Sequence, residues 1–435
     1  MNIILLSGGS GKRLWPLSND VRSKQFIKLL KNGDTYESML QRVYRQITTV
    51  DANAKITIAT SKSQASIIKN QLGEKVSICV EPCRRDTFPA IILTAAYLHD
   101  KLNVEMDEPV IVCPVDPYVD DTYYEAIKTL QKLTKQGNAS LTLMGIEPTY
   151  PSEKYGYIIP ENDENVSKVK AFKEKPDTET AKKYLAENAL WNAGIFAFKL
   201  SYLLEKAHSM IDFDNYQDLF DKYDTLNKIS FDYAVVEKEP SIQVLRYSGD
   251  WKDVGTWSTM SEVMPDKANG NVVLDELSEN TNVINELNIP VLCMGCKNMI
   301  VAISSDGILI ADKERSEHMK TYVEKIAVNT MYAEKSWGSF RVIDIQPGAM
   351  TVKISMNANE KMSYHMHNLR KEIWTVISGK GEAILDGIGH MLSPGDVISI
   401  AAGCKHTIKA ITNLSLLELQ MGDEIVTTDK YKFPI

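Results

Sequence analysis

Apolar and polar positions follow one rhythm up to about residue 260 and another beyond it. In the first stretch, short continuous apolar runs are followed by longer segments of helical spacing. Residues 2–6 read as a buried strand that stops at Gly8. KITIAT, VSICV, PVIVCPVD and SLTLMGI have the same buried-strand character, and AIILTAAYLHDKL reads as a helix. Met39, Leu40, Val43 and Ile47 share one helical face, and Asp34-x-x-Glu37 ahead of them has capping-box spacing. Strands alternating with helices predict a mainly parallel, Rossmann-like α/β sheet. Ligands of such sheets sit beyond the carboxyl ends of the strands, where a glycine-rich loop and Asp116 both fall.

From about 268 to 312 the apolar pieces shorten to NVVLD, TNVIN, MIVAI and GILIAD, divided by Asn, Gly and Asp. They predict a small β layer or short solenoid, followed by a charged helix over DKERSEHMKTYVEKI. From about 331 the pattern is wholly β: GSFRVIDI, MTVKISM, EIWTVISG, GEAILDG, DVISI, HTIKAI and LSLLELQM, with Gly, Pro and Asn between them. That predicts a sandwich or barrel. The expected domains are 1–262, 263–330 and 331–435.

Composition changes this picture little. The 435 residues are 44% apolar, enough for a large core, and the net charge of −8 argues against a general nucleic-acid binder. Six scattered cysteines suggest reduced thiols and a cytoplasmic protein, and Cys293-Met-Gly-Cys296 reads as ordinary strand sequence. The first apolar run is too short for a signal peptide, and no apolar stretch is long enough to span a bilayer.

The opening NIILLSGGSGKRLWPLS carries the first candidate chemistry. Small residues let backbone N–H groups approach an anion, and Arg13 can fork onto phosphate oxygens. Two familiar phosphate loops do not fit. Arg13 follows Gly11-Lys12 where a P-loop needs Ser or Thr, and Leu14 stands where the dinucleotide fingerprint needs Gly.

That loop is the first of an ordered series: GGSGKRLWPLS, SKQF, EPCRRDTFPA, GIEPTYPSEKYGYI, FKEKPD, WNAGIFAF, DYAVVEK and WKDVGTW, with a cupin-like segment at the end. Over nearly its whole length the chain resembles mannose-1-phosphate guanylyltransferases of the bacterial form fused to a cupin-type phosphomannose isomerase domain. The resemblance implies a nucleotidyltransferase domain, a short β-helix-like connector and an all-β cupin barrel. It implies GTP and mannose 1-phosphate as substrates, GDP-mannose and pyrophosphate as products, and neither nucleic acid nor membrane as partner; a homodimer is left open. Backbone N–H groups of Gly8, Gly9, Ser10 and Gly11 would cradle the triphosphate, while Arg13 and Lys24 neutralise the α-phosphate and departing pyrophosphate. Asp116 and Asp253 match the Mg²⁺ carboxylates. Glu174 and Lys175 would hold sugar hydroxyls and the sugar phosphate, Gly156 would let backbone approach the sugar, and Asn192 would bind hydroxyls through its amide. Glu81, Arg84 and Arg85 fall in a stretch the family places near the nucleotide. Ser23, Asp86 and Pro117 stand where the family usually has Pro, Asn and His. These departures leave open another sugar 1-phosphate or nucleotide, or a non-catalytic sugar-nucleotide binder.

A second constellation uses three of the seven histidines. His365-x-His367 on a strand points both imidazoles to one face, Glu372 returns toward it after a turn, and His406 comes from a later strand. This matches the cupin metal pattern. Three imidazoles and a carboxylate suit Zn²⁺ or another transition metal (Fe, Mn, Co or Ni). The bifunctional relatives usually carry Gln where His365 stands and Arg where Thr407 stands. Lacking that cation, the cupin is expected to be a weak or inactive isomerase.

Overall fold

The apolar runs of the first half pair into one sheet. Residues 1–9, 11–19, 21–326 and 330–434 are described by a computed structural model. Its contacts divide into two units, Met1–Gly9, Gln25–Ala65 and Leu72–Gly255 forming the first, and Ser10–Lys24, Ser66–Gln71 and Thr256–Ile435 the second. The dividing lines differ from the three expected segments. Connector and cupin form one unit, and that unit takes in the 10–24 segment as well.

In the first unit, nine strands form the sheet: β1 (Asn2–Ser7), β2 (Lys55–Ser61), β3 (Ser77–Glu81), β4 (Pro109–Pro114), β5 (Leu141–Ile146), β6 (Tyr157–Pro160), β7 (Val166–Lys173), β8 (Leu190–Lys199) and β9 (Ile242–Tyr247). Their order is β3-β2-β1-β4-β8-β5-β9-β7-β6. Parallel pairing joins β3, β2, β1 and β4, and also β5 and β9. β8 runs antiparallel to β4 and β5, and β7 antiparallel to β9 and β6. The sheet is therefore mixed, where a mainly parallel one was expected. Residues 161–165 are too few for a crossover, so β6 and β7 pair as a hairpin. The order reverses between β1 and β4, which places the crevice beyond Ser7 and Pro114.

Phe88, Phe196, Phe198 and Phe231 form an aromatic cluster in the core, with the Phe231 ring centroid 4.6–6.2 Å from the other three. Burial of each such ring contributes about 1.5–3 kcal/mol. α1 (Met39–Val50) buries Met39, Leu40, Val43 and Ile47 as expected, but its cap is not Asp34-x-x-Glu37. Ser38 Oγ accepts from the Gln41 N–H at 3.2 Å, and Gln41 Oε1 accepts from the Ser38 N–H at 3.1 Å. Thr35–Ser38 is a hairpin strand, so Glu37 is committed there and pairs with Arg45 at 2.6 Å.

In the second unit, Ala268–Asn269, Asn282–Asn285 and Met299–Ser304 stack in parallel, as do Val272–Leu274 and Val291–Cys293. This is a short β-helix. Asn280 and Asn298 stack at its corner, both at positive φ and joined at 2.7 Å, a conformation Asn tolerates best among non-glycine residues. The expected charged helix is reduced to two short turns, Arg315–His318 and Lys320–Val323. Beyond 331, all seven apolar stretches become strands of two antiparallel sheets around Trp374, Ile400, Ile408 and Leu416. That is the cupin barrel.

Candidate functional site

At the end of β1, Gly9 has φ +110°, a backbone only glycine adopts without strain. A Cβ added to Gly8 or Gly9 would meet nothing within 4 Å, so both border open space. Gln25 Nε2 donates to Ser7 Oγ at 3.2 Å, and Gln64 Nε2 to the Gly9 carbonyl at 3.3 Å. Ser10 lies outside the described residues. Gly11–Leu14 is a 3₁₀ turn that presents Arg13 exposed, and Lys24 is half-buried at the start of a second turn.

Within the second unit the 10–24 segment is tied down. Trp257 Nε1 donates to the Trp15 carbonyl at 3.0 Å, and Ser304 Oγ to the Pro16 carbonyl at 2.7 Å. Asn19 donates to Asp306 at 2.7 Å and accepts from the Val21 and Arg22 N–H groups. Buried Arg22 forks onto Glu286 with two bonds of 2.9 Å, lies 4.0 Å from Glu334, and rests 5.1 Å from the Tyr332 ring centre.

In the first unit, Pro117–Val119 pairs antiparallel with Trp251–Asp253, Pro117 opposite Asp253. Asp116 directly precedes that ladder, so the two carboxylates come from adjacent strand ends. Both act on one neighbour. Burial, then Asp253 and Asp116, push the Tyr155 hydroxyl far above its ordinary pKa. Tyr155 packs 4.9 Å from Trp191 and 5.3 Å from Trp251, ring centre to ring centre. Two carboxylates from adjoining strand ends are a donor set that suits a hard divalent cation.

Trp191 leads into the next cluster. Asn192 donates its N–H to the Gly156 carbonyl at 2.8 Å and its side-chain amide to Asp232 at 2.7 Å. A Cβ on Gly156 would fall 2.5 Å from Glu174 Oε2 and 2.9 Å from the Phe172 ring, so this position requires glycine. Lys175, at φ +43°, pairs with Glu174 at 2.5 Å. Against the opposing effect of burial, Glu174 holds the ammonium above its ordinary range. Burial, and then the Glu174 charge, raise the Asp232 carboxyl to about 7.

The remaining expected neighbours are otherwise engaged. Glu81 is buried under a 2.7 Å bond from the Tyr223 hydroxyl, and Arg85 donates to the Asp224 carbonyl. Arg84 is exposed. Asp86, at φ +72°, caps the helix Thr87–Leu102.

The cupin constellation converges inside its barrel. The ligand atoms of His365, His367 and His406 all lie within 4.8 Å of one another. Glu372 stands 3.2 Å from His367 Nε2 and 3.4 Å from His406 Nε2. Backbone carbonyls of Ser363, Asp429 and Cys404 accept from the Nδ1 atoms of His365, His367 and His406. With Nδ1–H fixed in this way, each Nε2 lone pair is turned inward. Burial lowers His365 to about 3 and lowers His367 as well, which keeps both rings neutral. His406 Nε2 is buried without a hydrogen bond, an orphan acceptor that a metal would satisfy. The donor set thus fits a transition metal. Arg370 is an additional neighbour, donating to His367 Nε2 at 3.1 Å and to Glu372 at 3.3 Å. Thr407 is buried with its hydroxyl donated to the Met362 carbonyl at 2.8 Å.

Comparison with known proteins finds a family match for each half of the chain. The nucleotidyl transferase family profile matches residues 2–270, and the mannose-6-phosphate isomerase C-terminal profile matches 324–433. The mannose-1-phosphate guanylyltransferase of Salmonella montevideo is 30% identical, over 98% of this chain and 98% of that protein. This chain belongs to the mannose-1-phosphate guanylyltransferase family. Another relative, the xanthan biosynthesis protein XanB of Xanthomonas campestris, is 30% identical over 99% of this chain and 97% of its own length. Among solved structures, mannose-1-phosphate geranyltransferase from Thermus thermophilus superposes with a TM-score of 0.61 at 27% identity, covering 74% of this chain and 98% of that one.

For a guanylyltransferase-family chain, sequence reasoning missed three residues that the folded protein puts beside the expected ones. Tyr155 lies inside the SEKYGYI motif, Asp232 inside DYAVVEK, and Arg370 between His367 and Glu372. The motifs marked the neighbourhoods. They carried no sign of which side chain turned inward. Among the described residues, no helix is long and apolar enough to cross a membrane.

Proposed function

We propose that the protein joins GTP to mannose 1-phosphate, releasing pyrophosphate and GDP-mannose. The observation that carries this reading is the continuity of the first unit's site: the Asp116–Asp253 pair, the Tyr155–Trp191 wall and the Glu174–Lys175–Asn192 cluster follow one another. In this reading a phosphate oxygen of the sugar attacks the α-phosphorus of GTP in line with the departing pyrophosphate, chemistry dominated by positioning and charge stabilisation. Backbone N–H groups of residues 8–11 cradle the triphosphate. Arg13 and Lys24 neutralise charge on the α-phosphate and leaving group. Lys175 holds the sugar phosphate, and Glu174 and Asn192 hold sugar hydroxyls. Asp116 and Asp253 hold Mg²⁺, which when bound offsets phosphate charge.

In the cupin, His365, His367, Glu372 and His406 hold Zn²⁺ or another transition metal. Isomerase activity is weak or absent, since Thr407 is neutral and committed to Met362. The test is pyrophosphate release over a panel of nucleoside triphosphates and sugar 1-phosphates. The reading expects GTP with mannose 1-phosphate to be the best pair. Turnover with UTP or dTTP but not GTP would overturn the guanylyl assignment.

A further inference from the structure

Asp232 has no role in the scheme above, yet it is held at the sugar cluster from both sides. Phe231 before it is fully buried among Phe88, Phe196 and Phe198, and the Phe231 N–H donates to Thr87 Oγ1 at 2.9 Å. Ser230 caps the short helix Phe231–Ala234. The Asp232 carboxylate accepts from Asn192 Nδ2 at 2.7 Å, while Asn192 Oδ1 accepts from the Gly194 N–H at 3.1 Å. The Asn192 amide is therefore oriented at both ends and keeps one N–H and one lone pair for a ligand. Glu174, with its Oε1 on Lys175 and its Oε2 over Gly156, brings a second carboxylate to the same place.

Buried Glu174 and half-buried Asp232 bring two carboxylates to one exposed ammonium, which leaves acceptor capacity in excess. A carboxylate has about four acceptor sites, and the contacts named here use only some of them. The complement of such a corner is a ligand rich in O–H donors, as the hydroxyls of a pyranose are. Gly156 has no Cβ, and the Glu174 carboxylate and the Phe172 ring fill the place one would take, which fixes Glu174 Oε2 at this corner.

We propose that Asp232 is a sugar-contacting, specificity-determining residue, accepting a hydrogen bond from a ring hydroxyl of the sugar 1-phosphate while it orients Asn192. This rests on the reading of the protein as a sugar-1-phosphate guanylyltransferase. Neighbouring burial supports it: the carboxyl is pushed up by desolvation and by Glu174, strain that hydroxyl donors would relieve.

The experiment is steady-state kinetics of the full-length protein and Asp232→Asn, with GTP and mannose 1-phosphate varied separately. The isosteric amide keeps an oxygen for Asn192 but accepts more weakly. At pH 8, where the carboxylate is ionised, a hydrogen bond to a charged group predicts a rise of about 10- to 100-fold in KM for mannose 1-phosphate, with KM for GTP unchanged within about twofold. A second measurement needs no variant. Among mono-deoxymannose 1-phosphates, one analogue should cost the unaltered enzyme a similar factor, and that analogue should be indifferent to Asp232→Asn. An unchanged sugar KM in the variant, equal rises for both substrates, or no deoxy analogue losing as much as tenfold each overturn the proposal. Absence of turnover by the unaltered protein with every sugar 1-phosphate would instead reject the functional reading beneath it.

Discussion

The two sites solve opposite problems. The residues proposed for transfer stand at strand ends and in turns, and Gly8 and Gly9 border open space. Arg13 and Lys175 are each exposed, where ligands that carry charge can meet them. The cupin site is closed and finished: three buried imidazoles, each pinned through Nδ1 by a backbone carbonyl, with Glu372 buried beside them. Substrate charge can be met by loosely held groups, because phosphates move to them. A metal needs lone pairs aimed in advance.

The comparison breaks if either site depends on the other's chemistry. The largest effects are expected at the transferase residues. Arg13→Ala, Lys24→Ala and Asp253→Ala should each lower kcat by about 10²-fold or more, since each group acts on charge that develops during transfer. Near-parental rates in all three would mean the site lies elsewhere. Next comes the tie between the 10–24 segment and the connector. Arg22→Ala leaves half-buried Glu286 without its partner and should cost about 1–3 kcal/mol in urea unfolding. A midpoint unmoved by this change would show that the segment does not depend on that pair.

His367→Ala should remove most of the bound transition metal, read by elemental analysis of protein purified without chelator. Full retention of metal would place the ion elsewhere.

The smallest effect expected is a stability change at Asp232. Folded, its carboxyl keeps its proton up to about 7; unfolded, it releases it near 3.8. Between those values the folded state binds more protons, so this group lowers stability as pH rises through the window, and the deficit stays constant above it. Asp232→Asn removes the deficit. It should raise the melting temperature at pH 8 and leave it unchanged near pH 4, and an equal gain at both would show that the carboxyl's charge is not the cause.

What could be read from the sequence follows the same division. Seven of the eleven cupin strands among the described residues were legible because alternation on a half-buried strand is local information, whereas the short strand His365–Met366 ends before His367. The order of the transferase motifs singled out Asp116, Asp253, Glu174 and Asn192 as candidates. Other features were set by tertiary contacts. Asp34 and Glu37 had capping-box spacing, but hairpin pairing claimed that segment and Ser38 took the cap. The 10–24 segment reads as part of the first domain, yet Trp257, Asp306 and Glu286 hold it. Asp232 and Arg370 look like surface charges in one dimension, and only the packing of Phe231 and the turn before Glu372 bring them inside.

Measuring GDP-mannose formed from GTP and mannose 1-phosphate by the parent protein, Asp253→Ala and His367→Ala, side by side, tests the central claim most directly. The account predicts product from the parent, a loss of about 10²-fold or more in Asp253→Ala, and a nearly unchanged rate in His367→Ala. Robust synthesis by Asp253→Ala together with its loss in His367→Ala would contradict it.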